Sequence, residues 1–201
     1  RSSTLNSLNS SVWRDSVVDE GSLRVASSKD RFIELKRQAT LAQSFGVPAE
    51  VLSPAEAVKL FPIMCSDDIV GAVFLPTDGQ VEPSSVTRAL AKGAKDKGVA
   101  FLEDVNVEGF TLEKGAVTEV KTDKGTIRCE FVVNAAGQWA RAVGTLAGVS
   151  VPVWSFQHQF LVTEPIPGLP PHLPTMRDPD NLVYFKEEAG ALVMGGYEHD
   201  P

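Results

Sequence analysis

Cysteine is scarce in this chain, and the two present, Cys65 and Cys129, lie 64 positions apart. No CxxC spacing exists, which argues against a zinc knuckle and fits a reducing compartment, with room for one disulfide at most. Basic excess is lacking too: 19 Lys+Arg face 26 Asp+Glu, a net charge of −7. Nucleic acid and anionic membrane are thereby disfavoured as main partners. No apolar run approaches the roughly 20 residues of a membrane-spanning helix. The first fifteen residues have no apolar centre of the kind a signal peptide carries. Aromatic residues are only 7%, yet 43% apolar and 22% charged residues over 201 positions suffice for a globular core. No repeat of 20–50 residues is present, and low complexity is confined to the Ser/Asn-rich first eleven residues.

What is there reads as alternating elements. Gly21–Ala26 alternates as a strand, and Ser27 or Ser28 offers a helix N-cap. Phe32, Leu35, Ala39, Ala42 and Phe45 mark one buried helix face, with Gly46 as its stop. Ser53-Pro54-Ala55-Glu56 is a capping box, and Pro62 ends the helix that it starts. Gly71–Leu75 is a strand closed by the turn Pro76-Thr77-Asp78-Gly79. Pro83 opens a helix to about Lys97, with Val86, Leu90 and Ala94 on one face.

Five strands are expected next: Val99–Leu102, Val105–Leu112, Ala116–Thr122, Thr126–Cys129 and the apolar run Phe131-Val132-Val133. The last has the pattern of a buried parallel strand. It delivers Asn134-Ala135-Ala136-Gly137 to a helix from Gln138 to about Ala147. After Gly148 the pattern is β-rich: a long strand Trp154–Thr163, a proline-rich connection, and a hairpin of Leu182–Lys186 with Ala191–Met194. This order is mixed α/β, with one domain inserted into or interleaved with another.

The junction at Val133–Trp139 is chemically suggestive. A strand running into small residues at a helix start lets a phosphate or cofactor approach backbone N–H groups, and Gly137 removes the side-chain obstacle. The same small residues also serve plain packing, and spacing alone leaves both readings open. Of the three histidines, His172 in Pro-Pro-His-Leu-Pro reads as an exposed loop residue, and His199 has no evident role. His158 falls inside the apolar stretch Trp154–Phe160, where an imidazole must be hydrogen-bonded to be tolerated. No residue set suggests a metal site.

Several stretches carry a resemblance: Gly21-Ser22-Leu23-Arg24-Val25-Ala26, Ser53-Pro54-Ala55-Glu56-Ala57, Leu75-Pro76-Thr77-Asp78-Gly79 and Val133-Asn134-Ala135-Ala136-Gly137-Gln138-Trp139-Ala140. His158-Gln159-Phe160-Leu161-Val162-Thr163 and Gly195-Gly196-Tyr197-Glu198 continue it. In this order they resemble the dimethylglycine and sarcosine dehydrogenase branch of the D-amino acid oxidase-like flavoproteins. The resemblance runs from about Gly21 to the end. It implies part of a glutathione-reductase-type FAD domain interleaved with an antiparallel-sheet substrate domain. The corresponding division is an irregular segment 1–20, substrate-domain and connecting parts 21–79, a partial FAD domain 80–150, and the substrate-domain sheet 151–201.

The implied activity is oxidation of the N-methyl group of a glycine derivative by hydride transfer to FAD. The resulting iminium hydrolyses or passes its one-carbon unit to tetrahydrofolate. Cofactor contacts map onto Val107, Ala135, Ala136, Gly137 and Trp139. His158 corresponds to a histidine beside flavin and substrate, where a neutral imidazole accepts the amine proton. Tyr184 corresponds to a tyrosine that orients the substrate. Arg177 or Lys186 would meet the substrate carboxylate. The electron acceptor would be oxygen or an electron-transfer flavoprotein, in the cytoplasm of a bacterium or the mitochondrial matrix of a eukaryote.

The family's GxGxxG, which holds the cofactor pyrophosphate, is missing from these residues. So are the histidine that some members link to FAD, the closing C-terminal strand with its glycine-rich turn, and the folate-binding region. The chain is therefore expected to be the middle of a larger protein, inactive by itself. A non-catalytic alternative stands beside this reading, since a phosphatase regulatory subunit shares the architecture. So does a core that binds nothing.

Overall fold

The computed structural model describes residues 17–198. The Ser/Asn-rich first eleven residues and His199 lie outside the described residues. The chain divides into two compact units. One comprises the chain up to Lys97 together with the chain from His158 onward, and the other is Gly98–Gln157. These divisions fall at 97/98 and 157/158, whereas the sequence pattern suggested 79/80 and 150/151.

The first unit is built on a seven-stranded mixed sheet. Its strands are β2 (Ser22–Ala26), β3 (Glu50–Leu52), β4 (Gly71–Leu75), β9 (Phe160–Val162), β10 (Thr175–Asp178), β11 (Val183–Glu188) and β12 (Ala191–Gly196). Their spatial order is β3-β4-β2-β10-β11-β12-β9. Every pairing is antiparallel except β2 with β10, which run parallel in the register Thr175↔Ser22, Met176↔Leu23, Arg177↔Arg24. A short pair, β1 (Val17–Val18) with β5 (Gln80–Val81), lies outside this sheet.

Local signals place the helices as expected. Ser28 caps α1 (Lys29–Ser44) by accepting from the Arg31 N–H at 3.1 Å. Ser53 and Glu56 form a reciprocal capping box on α2 (Pro54–Leu60). Glu82 caps α3 (Pro83–Asp96), accepting from the N–H groups of Ser84 at 3.0 Å and Ser85 at 2.6 Å. The Ser85 side chain and these two N–H groups hold the Glu82 carboxyl at about 2.

The two sheet faces are covered differently. Leu23, Val25 and Met176 point to one face and pack with Ala57 and Phe61 of α2 and its end. Ala26 and Val73 point to the other, where Leu35 and Ala39 of α1 cover them. Phe45 departs from the expected helix face: it is the C-cap residue and 79% exposed, because α1 ends one residue earlier. No residue of α3 is buried, so its Val86–Leu90–Ala94 stripe is only partly covered.

Two carboxylates tie the start of α1 to the turn after β10. Asp178, buried, accepts from the N–H groups of Asp180 and Asn181 at 3.0 and 3.1 Å and from Asn181 Nδ2 at 2.7 Å. Asp180 accepts from the N–H groups of Ser27 and Ser28 at 2.9 and 3.1 Å and from Arg31 Nε at 3.1 Å. It thus serves as a second N-cap for α1 from 152 residues away. Burial pushes the Asp180 carboxyl up. The Ser27 N–H, the Arg31 guanidinium and the Ser28 N–H outweigh it and hold the group below the ordinary carboxylate range.

The second unit has β6 (Val107–Glu113), β7 (Ala116–Thr122) and β8 (Gly125–Arg128) in one antiparallel sheet. Helix α4 (Ala140–Leu146) packs on β6. The expected helix from Gln138 instead begins as a 3-10 turn over Gly137–Trp139. Three strand expectations fail. Val99–Leu102 is not a strand, Phe131-Val132-Val133 is not one either, and Trp154–Thr163 contracts to β9 alone. Phe131 and Val133 are 88% and 87% exposed. An apolar run becomes a strand only when a neighbour takes its N–H and C=O groups, and among the described residues no strand pairs with 99–102, 131–133 or 154–159.

Replacing Asp180 by Ala should destabilise the first unit by about 1–3 kcal/mol, the loss expected for hydrogen bonds to a charged acceptor. A carboxyl whose folded pKa is lowered contributes stability above its unfolded pKa and loses it as pH falls through the folded value. Thermal unfolding should therefore show a clear gap between wild type and Asp180→Ala at pH 7 that narrows as pH falls below the ordinary carboxylate range.

Candidate active site

One rung crosses the large sheet. Arg24 on β2 pairs with Arg177 on β10, Arg177 with Tyr184 on β11, Tyr184 with Gly195 on β12, and Gly195 with Phe160 on β9. Directly paired residues share a face, so Arg24, Arg177 and Tyr184 project from the same side. It is the side that α1 covers at Ala26 and Val73. Arg24 reaches Gln38 of α1, donating to its Oε1 at 3.2 Å. A pocket of about 310 Å³ opens here, lined by Ser22, Arg24, Asp78, Arg177, Tyr184 and Lys186 among others.

Tyr184 occupies this position because its neighbour is glycine. A Cβ on Gly195 would come within 2.2 Å of the Tyr184 hydroxyl. Beyond it, Tyr197 gathers the remaining groups. Arg177 donates to the Tyr197 hydroxyl at 3.1 Å, and the Tyr184 and Tyr197 ring centroids are 5.9 Å apart. The His158 ring meets Tyr197 edge-on at 5.1 Å, and His158 Nδ1 lies 3.2 Å from Glu198 Oε2.

His158 is thus not the buried strand histidine that its apolar neighbours suggested. It precedes β9, its side chain is 43% exposed, and a carboxylate satisfies one of its nitrogens. Of the two candidate cations, Arg177 belongs to the rung, whereas the Lys186 ammonium is 3.0 Å from Glu188. His172, exposed as expected, meets Glu20 through Nδ1 at 2.5 Å. Arg24, Tyr197 and Glu198 were missed as site residues. Alternation along Gly21–Ala26 already put Arg24 opposite Leu23 and Val25, but only the pairing with β10 reveals its neighbour.

The candidate cofactor residues belong to the second unit. Val107 starts β6 at a register irregularity and is exposed. Ala135, Ala136, Gly137 and Trp139 form the turn before α4. Asn134 shapes that turn, donating from Nδ2 to the Ala140 carbonyl at 2.9 Å and accepting from the Ala136 N–H at 3.3 Å. Gly137 has φ +54°, and a Cβ there would meet nothing within 4 Å, so the backbone faces open space. Trp139 is 65% exposed. Open, small-residue backbone beside exposed aromatic and aliphatic surface fits a large cofactor that is part anionic and part apolar. Among the described residues no three of His, Cys, Asp or Glu come together as a metal site. Cys65 and Cys129 are free.

A family model described as FAD dependent oxidoreductase matches residues 14–201. The chain belongs to that family. Within the FAD dependent oxidoreductases it is similar to human mitochondrial sarcosine dehydrogenase, 40% identical over 92% of this chain and 20% of the relative. It is also similar to the mouse mitochondrial pyruvate dehydrogenase phosphatase regulatory subunit, 36% identical over 90% of this chain and 21% of the relative. The chain therefore spans about a fifth of the length of these curated relatives. Among solved structures, L-proline dehydrogenase from P. horikoshii matches with a TM-score of 0.84 and 29% identity, over 94% of this chain and 54% of that one. The strands and helices described and the likeness to L-proline dehydrogenase give the mixed α/β fold class, and the family match gives FAD as the family's cofactor. No helix among the described residues is long and apolar enough to cross a membrane.

Gly195→Ala should drive the Tyr184 ring out of its place, at a stability cost of about 1–3 kcal/mol for overpacking. Thermal unfolding would show the loss. Tyrosine fluorescence or ring NMR signals would report the moved phenol.

Proposed function

We propose that the complete protein is an FAD-dependent amine oxidoreductase that oxidises the N-methyl carbon of a small N-methylated glycine. The observation that carries this reading is the Arg24–Arg177 pair. Like charges directly opposite on neighbouring strands destabilise a sheet, and an anion on their common face removes that cost. A substrate carboxylate is such an anion, and arginine's planar fork suits it. Family membership and the sarcosine dehydrogenase likeness supply the substrate class.

Each residue then has a part. Arg24 and Arg177 hold the carboxylate, while Lys186, engaged by Glu188, stays at the rim. The Tyr184 hydroxyl orients the amine by a hydrogen bond. His158 takes the ammonium proton, because only the free amine has the lone pair that forms the C=N bond as hydride leaves. FAD, when bound, supplies the two-electron acceptor for that hydride. Val107, Ala135, Ala136, Gly137 and Trp139 would hold it. The mitochondrial relatives favour the matrix as location in a eukaryote, with the cytoplasm as its bacterial counterpart. Comparing reoxidation under air with reoxidation by a carrier flavoprotein separates the two acceptors.

A second reading has its own support, the 36% identity to a phosphatase regulatory subunit. On that reading the complete protein binds a partner without turning over amines.

The test is anaerobic reduction of the complete, FAD-loaded protein by N-methylglycine, followed by bleaching of the flavin absorption. His158→Ala should slow reduction by about 10²–10⁴-fold, the range for removing a general base. Arg177→Ala should raise the substrate concentration needed for half-maximal rate by about 10-fold or more, as loss of a charge-assisted contact predicts. A protein that binds FAD but is never bleached by N-methylated glycines supports the regulatory reading instead.

A further inference from the structure

We infer that Glu198 is a positioning residue for His158: its carboxylate selects the imidazole tautomer that leaves Nε2 free to accept the amine proton. The inference rests on the reading of His158 as that acceptor, and extends it to a residue with no role so far.

Glu198 Oε2 lies 3.2 Å from His158 Nδ1. A carboxylate can only accept, so in the neutral imidazole Nδ1 carries the proton and Nε2 presents its lone pair. An unpartnered histidine has no such bias and divides between two tautomers, only one of which is useful as a base at Nε2. The ring is also fixed in orientation. Tyr197 meets it edge-on at 5.1 Å, and Tyr197 is itself held by Arg177 at 3.1 Å. Histidine, carboxylate and the two tyrosines are thereby connected to the arginine rung through one phenol.

The carboxylate has a second effect. Once His158 has taken the proton, the imidazolium sits beside an anion that stabilises it. Among the charged and titratable groups around the imidazole, Glu198 meets its Nδ1 and Tyr197 meets the ring edge-on, while Arg177 lies 5.7 Å and Tyr184 5.9 Å from the Tyr197 ring centroid.

The experiment uses the complete FAD-loaded protein with Glu198→Ala, Glu198→Gln and His158→Ala. Glu198→Ala should reduce the rate of flavin reduction by N-methylglycine by about 10–100-fold, as loss of a residue that orients a histidine does. The apparent substrate affinity should stay within about 3-fold, since the arginine clamp is untouched. Glu198→Gln, whose amide oxygen still accepts from Nδ1, should keep more of the rate than Glu198→Ala.

Histidine side-chain NMR provides a reading independent of turnover. The His158 imidazole should be protonated at Nδ1 in the wild type and shift toward the Nε2–H form in Glu198→Ala. If His158→Ala abolishes reduction while Glu198→Ala leaves rate and tautomer as in wild type, the inference is overturned and the amine-base reading survives. If His158→Ala leaves reduction intact, the amine-base reading fails, and an Nδ1–H tautomer independent of Glu198 removes the positioning role as well.

Discussion

The parallel pairing of β2 with β10 is the contact on which the first unit depends. On one side of it lie β3, β4 and β2, joined by antiparallel pairing from the first 75 residues of the chain. On the other lie β10, β11, β12 and β9, from the last quarter. Without the pairing there are two small sheets, each with an open edge whose backbone groups need partners. With it there is one sheet, and Arg24 and Arg177 become neighbours. The candidate site is thus a product of long-range register more than of any local motif.

Register of this kind must be specified, because a one-residue slip would turn every side chain to the opposite face. Asp178 and Asp180 do much of that work beside the pairing. Asp178 shapes the turn after β10, and Asp180 reaches the N–H groups that begin α1, directly after β2. Helix α1 then covers only part of its sheet face, over Ala26 and Val73. Farther across, the same face carries two guanidiniums and a phenol, which no helix could cover without leaving charges buried and unpaired. Covered and open halves of one face follow from the alternation of Ser22, Arg24 and Ala26 with Leu23 and Val25.

Local features were legible in the sequence. Ser28, the Ser53–Glu56 box, the turn at Pro76–Gly79 and the β6–β7–β8 meander each depend on residues within a few positions of one another. Strands that depend on distant partners were not legible. Phe131–Val133 has the composition of a buried strand, yet composition cannot supply the neighbour that would make it one. Thr175–Asp178 went unread for the opposite reason: it is short and polar at both ends, and pairing on both sides makes it a strand. In the site, motif order alone pointed to His158 and Tyr184. Tyr197 and Glu198 stood inside a quoted motif without a role, because their meaning lies in the 40-residue separation between His158 and Glu198.

The β2–β10 pairing also has a consequence in time. Arg24 leaves the ribosome well before Arg177, and synthesis runs at about 5–20 residues per second, so β2 waits roughly 8–30 s for its second neighbour. During that interval β2 can pair with β4, which follows it closely, but its other edge stays open. The charged side chain of Arg24 at the middle of that edge strand is a deterrent to stray strand addition. A residue suited to hold an anion in the finished sheet is thus also suited to guard the unfinished one.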